Sequence, residues 1–135
     1  MCAEESIAHK SFKQTFIKSE ARNAQISVKL DDRFPVIPVR AIENNATKEF
    51  INEQKKLLNL IENKKISLKD AQLAIEHFWA GSLKNAVLNG DINNGSLMAG
   101  QSVSLVKEIQ TVNEIFKELL SQIESQINQE KMNYA

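Results

Sequence analysis

The sequence predicts a mainly α protein with a small β-hairpin, an α+β arrangement. Two observations carry this. Apolar residues recur at three- and four-residue spacing over most of the chain, while strict alternation appears only between Ile26 and Ile42. At 135 residues, with 42% hydrophobic and 25% charged side chains, the chain is about one domain long and has enough apolar material for a single core.

Taken in order, Ser6 is positioned to cap a helix over Ile7 to Ser19, with Ala8, Phe12 and Phe16 forming one stripe. The period then changes. Ile26, Val28 and Leu30 alternate with Ser27 and Lys29, Asp31-Asp32-Arg33 breaks the run, and Val36 to Ile42 resumes it. Pro35 and Pro38 lack an N–H, so the second strand belongs at an edge or pairs only beyond Pro38. After Asn44-Asn45, Ala46 to Glu62 reads as a helix with Phe50, Ile51, Leu57, Leu58 and Ile61 on one face. Ser67 to Asp70 resembles a capping box and opens a helix with Leu68, Ala71, Ile75, Phe78 and Trp79 on its apolar side, which Gly81 is expected to interrupt or kink. Ser82 to Asn89 reads as a short helix closed by Gly90, Asp91 to Gly95 as a turn, and Ser96 as the cap of a helix reaching about Ile109. Thr111 and Glu114 form a capping box ahead of Val112, Ile115, Phe116, Leu119, Leu120, Ile123 and Ile127 in helical register.

Several function classes are disfavoured by composition. Seventeen basic residues balance seventeen acidic ones, so no global field draws nucleic acid or anionic lipid. No run approaches the roughly 20 apolar residues of a membrane span, and the first residues lack a signal-peptide pattern, so cytoplasm is the default. Cys2 is the single cysteine, and neither His9 nor His77 has a second ligand at metal spacing, so no metal site and no catalytic residue is assigned. The four glycines, at 81, 90, 95 and 100, fall between predicted helices and lack the spacing of a phosphate cradle.

The segment Gly90 to Gln101 gathers a turn, a predicted helix start and three small residues, Ser96, Ala99 and Gly100. One reading is close backbone packing. The other has the N–H groups near Ser96 to Met98 facing a ligand, with Gln101 adding a donor and an acceptor.

Extended back to Gly81, the segment resembles a C-terminal stretch of flavin-dependent nitronate monooxygenases (2-nitropropane dioxygenases) and of flavin-type enoyl-acyl carrier protein reductases. That stretch is similar to G-x-L-x-x-A-x-x-x-G-D-x-x-x-G-S-x-M-A-G-Q. It is matched by Gly81, Leu83, Ala86, Gly90, Asp91, Gly95, Ser96, Met98, Ala99, Gly100 and Gln101. Glu4-Glu5-Ser6, Ala8-His9 and Phe12-Lys13 resemble the segment following the last barrel strand, and Val39 to Asn44 the segment before a long helix.

The resemblance implies the helical C-terminal portion of an FMN-binding (β/α)8 TIM-barrel oxidoreductase, with the barrel and its catalytic histidine absent. Residues 1–20 would be the last barrel helix region, 21–45 the hairpin and 46–135 the helical C-terminal region. Nitronate oxidation is the first expectation, with an enoyl reductase segment or a stand-alone helical interaction module as alternatives. FMN is implied for the complete enzyme and not for this chain alone, which is expected to be inactive. Ser96, Met98 and Gln101 are implied to line the flavin and substrate cleft. The expected partners are an upstream barrel or a second copy meeting exposed apolar helix faces.

Overall fold

The computed structural model describes residues 2–133. Its first helix, α1, spans Lys10–Ile17 and starts later than the sequence predicts. His9 takes the N-cap, its Nδ1 accepting from the Ser11 N–H at 3.1 Å. The Ser6 hydroxyl serves the turn before it, accepting from the Ala8 N–H at 3.2 Å. The expected stripe is buried: Ala8, Phe12 and Phe16 all lie in the first core, with the two rings 4.6 Å apart. Lys13, also buried, donates from Nζ to the carbonyls of Ala3, Glu4 and Ser6 at 2.7, 3.1 and 2.8 Å. Each ammonium proton thus has an acceptor, as a buried cation requires.

The hairpin is shorter than expected. β1 (Ala24–Ile26) pairs antiparallel with β2 (Arg40–Ile42), Gln25 opposite Ala41. Pairing between named strands begins only beyond Pro38, as the missing N–H groups require. Just outside, the Ser27 N–H donates to the Val39 carbonyl at 2.7 Å, and the Val39 N–H donates to the Ser27 hydroxyl at 2.9 Å. This contact reverses the expected facing of 26–30: Ser27 is buried, while Ile26 and Val28 are about half exposed. The chain leaves the sheet at that point. Gln54 then holds it, donating from Nε2 to the Val28 carbonyl at 2.8 Å and accepting from the Leu30 N–H at 2.9 Å. Phe34 carries the link into the second core.

Asn44 caps α2 (Asn45–Glu62), accepting from the Thr47 N–H while the Thr47 hydroxyl accepts from the Asn44 N–H. Ser67 caps α3 (Leu68–Lys84) and also donates to Asp70 at 2.7 Å. Gly81 does not break α3. The helix passes through it and runs directly into a π-helical turn, Asn85–Asn89, so the separate short helix expected from Ser82 is a continuation. One exposed glycine costs a helix only about 1 kcal/mol relative to alanine, too little to stop a helix whose Ala71 and Ile75 are fully buried. Termination comes at Gly90, with φ 73°.

α2 and α3 pack together over the second core, built from Phe34, Phe50, Leu57, Ala71 and Ile75. Phe50 stacks on Trp79 at 4.4 Å. Each large side chain fully buried here contributes about 1.5–3 kcal/mol. The first core joins α1 and both strands to Ala86, Leu97 and Val103.

The helix expected from Ser96 to Ile109 is absent. Residues 97–99 instead run extended along the free edge of β2, with the Ile42 N–H donating to the Leu97 carbonyl at 2.9 Å and the Ala99 N–H to the Arg40 carbonyl at 3.1 Å. Only a 3-10 turn, Gln101–Leu105, follows. The last helix, α4 (Val112–Asn133), opens on the expected Thr111/Glu114 capping box. Its first N–H, on Val112, also donates to the Glu5 carboxylate at 3.0 Å. No α4 side chain is buried.

Candidate functional site

The segment Gly81 to Gln101 runs from the end of α3 to the extended stretch that is β2's second partner. Its centre is a turn organised by Asp91. One carboxylate oxygen accepts from the N–H groups of Asn93 and Asn94 at 3.2 and 2.9 Å, and the other from Asn85 Nδ2 at 2.9 Å. These donors, the Asn94 N–H foremost, hold the Asp91 carboxyl below its ordinary value of 3.8. Asn44 Nδ2 fastens the turn to the start of α2, donating to the carbonyls of Ile92 and Gly95 at 2.8 Å each.

Two glycines of the motif face protein. A Cβ on Gly90 would run into the His9 ring, and one on Gly95 would come within 2.6 Å of the Ala86 backbone nitrogen and Cβ. Close packing therefore accounts for both positions without a ligand.

The three cleft candidates are brought to one strip of chain but differ in access. Ser96 is interior: it is 2% exposed, and its N–H donates to the Ser82 carbonyl at 2.9 Å. Its hydroxyl has no hydrogen-bond partner and borders a cavity of about 10 Å³ shared with Ser27, Thr47 and Trp79, a volume on the scale of one water molecule. Met98 is half-buried opposite Ala41, and Gln101 is exposed at the head of the 3-10 turn. Of the backbone donors expected to meet a ligand, the Ser96 N–H is taken by the Ser82 carbonyl, and just beyond them the Ala99 N–H is taken by Arg40.

Residues that the motif did not reveal do the anchoring. Asn44 reads in sequence as a cap, and nothing in the pattern announces its second task. Gln54 could have been found, because it interrupts the Phe50–Leu57 apolar stripe at a position that ends up fully buried. A polar group there implies a backbone partner. Lys13 gives no such signal. His9 is a helix cap and His77 is exposed on α3.

No family model matches the chain, and no curated protein matches it. Solved structures do. FabK from Thermotoga maritima superposes with a TM-score of 0.69 at 24% identity, covering 99% of this chain and 37% of FabK. A methionine-to-alanine mutant of the same protein gives 0.66 at 21% identity, covering 99% and 34%. The chain has the fold of one third of FabK. It spans little more than a third of the solved structures it matches, and the FabK likeness extends through α4 and the N-terminal segment as well as the motif.

Proposed function

We propose that this chain is the helical, non-barrel portion of an FMN-dependent oxidoreductase, completed by a (β/α)8 barrel supplied by other residues. The observation that carries the reading is coverage: 99% of the chain follows a FabK-like fold while about two-thirds of FabK lies outside the match. The eleven motif positions between Gly81 and Gln101 support it independently. FabK is a flavin-type enoyl-acyl carrier protein reductase, which favours enoyl thioester reduction over nitronate oxidation as the chemistry of the complete enzyme.

In this reading the chain supplies walls rather than reacting groups. Met98 and Gln101 border the flavin and substrate cleft, Ser96 packs behind them, and Asn44 with Asp91 fixes the loop that carries them. The flavin, when bound, supplies the hydride chemistry. Positioning within about an ångström decides much of an enzyme's rate, so a rigid wall is a functional contribution.

The test is reconstitution. The FabK barrel, with its matched third removed, is co-expressed with this chain, and flavin content is measured on the purified complex. The expected result is FMN retained by the complex and absent from the isolated chain, with enoyl thioester reduction exceeding nitronate oxidation. Stoichiometric flavin on the isolated chain, or a complex that retains none, overturns the proposal.

A further inference from the structure

Ser96 holds a polar group that the fold encloses without pairing it. The residue is 2% exposed, its N–H is spent on the Ser82 carbonyl, and its hydroxyl meets no protein partner among the described residues. A buried hydroxyl without a partner costs stability, and native interiors satisfy such groups with protein or with water. This one borders a cavity of about 10 Å³ between the end of β1, β2, the first turn of α2, α3 and the stretch that follows Gly95. We infer that the cavity is a binding site for a single water molecule, hydrogen-bonded to the Ser96 hydroxyl and to at least one of the hydroxyls of Ser27 and Thr47.

Size and chemistry select water. A cavity of that volume admits one water and nothing larger. Ser27, Thr47 and Ser96 line it beside the amides of Gln25 and Asn44, which provides for the roughly two to four partners that a buried water needs. No lining residue carries a charge, so a cation would find no carboxylate to neutralise it. The other two hydroxyls are able to pair. Ser27 accepts from the Val39 N–H at 2.9 Å, and a hydroxyl that accepts still has a proton to give. Thr47 accepts from the Asn44 N–H at 3.2 Å, while its oxygen lies 3.5 Å from Asn44 Oδ1, longer than an ordinary O–H···O contact.

Position gives the water a task. Ser27 follows β1, Thr47 lies in the first turn of α2, and Ser96 leads into the extended stretch along β2. A water bonded to Ser96 and to either of the others ties the strip that carries Met98 to a second element. The stacking of Phe50 on Trp79 at 4.4 Å holds the indole that closes one side of the cavity.

The inference rests on this chain's own interior and does not depend on the flavoenzyme reading. Two measurements on the full chain test it. Thermal unfolding of Ser96→Ala gives a sign: a water that loses a partner lowers the Tm, whereas removing an orphaned hydroxyl from a dry cavity leaves it equal or higher. A Tm below that of the wild type is expected, and one at or above it overturns the inference. Oxygen-17 relaxation dispersion counts long-lived waters and is blind to hydroxyl proton exchange. Ser96→Val, whose two methyls replace the hydroxyl and fill the cavity, should hold about one fewer such water than the wild type. An unchanged count overturns the inference. Far-ultraviolet circular dichroism reports that each variant is folded. Where the valine variant does not fold, a crystal structure of the wild-type chain decides: density within hydrogen-bond distance of Ser96 Oγ sustains the water, and an empty cavity overturns it.

Discussion

Gly90 and Gly81 make opposite demands on the same residue type. At Gly90 the backbone is left-handed, with φ 73°, and the His9 ring occupies the space of a side chain. Gly90→Ala should cost about 1–2 kcal/mol from the backbone alone, with more for displacing His9. Gly81 sits in α3 with open space for at least 4 Å around the point a Cβ would take, so Gly81→Ala should stabilise by about 0.5–1 kcal/mol. Thermal unfolding of the two variants should move in opposite directions. Asp31 offers a second reading at this scale: Arg33 donates from Nε and Nη2 at 2.9 and 2.8 Å and lowers its carboxyl to about 2 from 3.8. A depressed carboxyl stabilises the fold above the unfolded value and loses that contribution as pH falls through the folded one. Carboxyl NMR should therefore place the Asp31 midpoint near 2, and Arg33→Ala should return it toward 3.8. Sequence already marked Gly90 as the left-handed residue that closes the helix, but it read Gly81 as a break, since continuity of a helix through glycine depends on packing neighbours that no local pattern contains. The Ser96 hydroxyl was likewise readable as a group of interest, while its enclosure required Trp79 and Thr47 to come from two other helices.

Among elements, the caps of α2, α3 and α4 were legible, those expected at Ser6 and Ser96 were not, and the extended segments were the least legible. Asn44, Ser67 and Thr111 all cap as their side chains allow, because a cap is settled within four residues. The stretch after Ser96 failed as a helix because β2 offered an unpaired edge, and partners far apart in sequence outcompeted local propensity. The same competition shortened the hairpin. Its alternating run of 26–30 gave way to Gln54, whose amide supplied the ladder contacts that a strand partner would have made. In α4 the cap carries unusual weight, because no packing supports the helix. Thr111→Ala removes an N-cap worth about 0.5–2 kcal/mol, and in dilute solution it should reduce far-ultraviolet helicity. The same loss behind a well-packed helix such as α3 would leave helicity nearly intact.

For the whole molecule, the sequence conveyed the mainly helical class, the hairpin and the likeness to part of a larger fold. The first core draws on α1, the hairpin and residues beyond Ala86 together. No helix among the described residues is long and apolar enough to cross a membrane. One connection reaches across the entire molecule: Lys13 gathers the carbonyls of residues 3–6, the Glu4 N–H donates to the Gln110 carbonyl at 2.8 Å, and Glu5 meets Val112, 107 residues away. During translation these partners emerge far apart in time. At about 5–20 residues per second, roughly 5–20 s pass between the synthesis of Glu5 and that of its partner. Over that interval residues 3–6 can settle on the Lys13 ammonium of α1, but the clasp on α4 must wait until Val112 has been made. The two ends of the described fold are thus joined late, by a contact that bridges 107 residues.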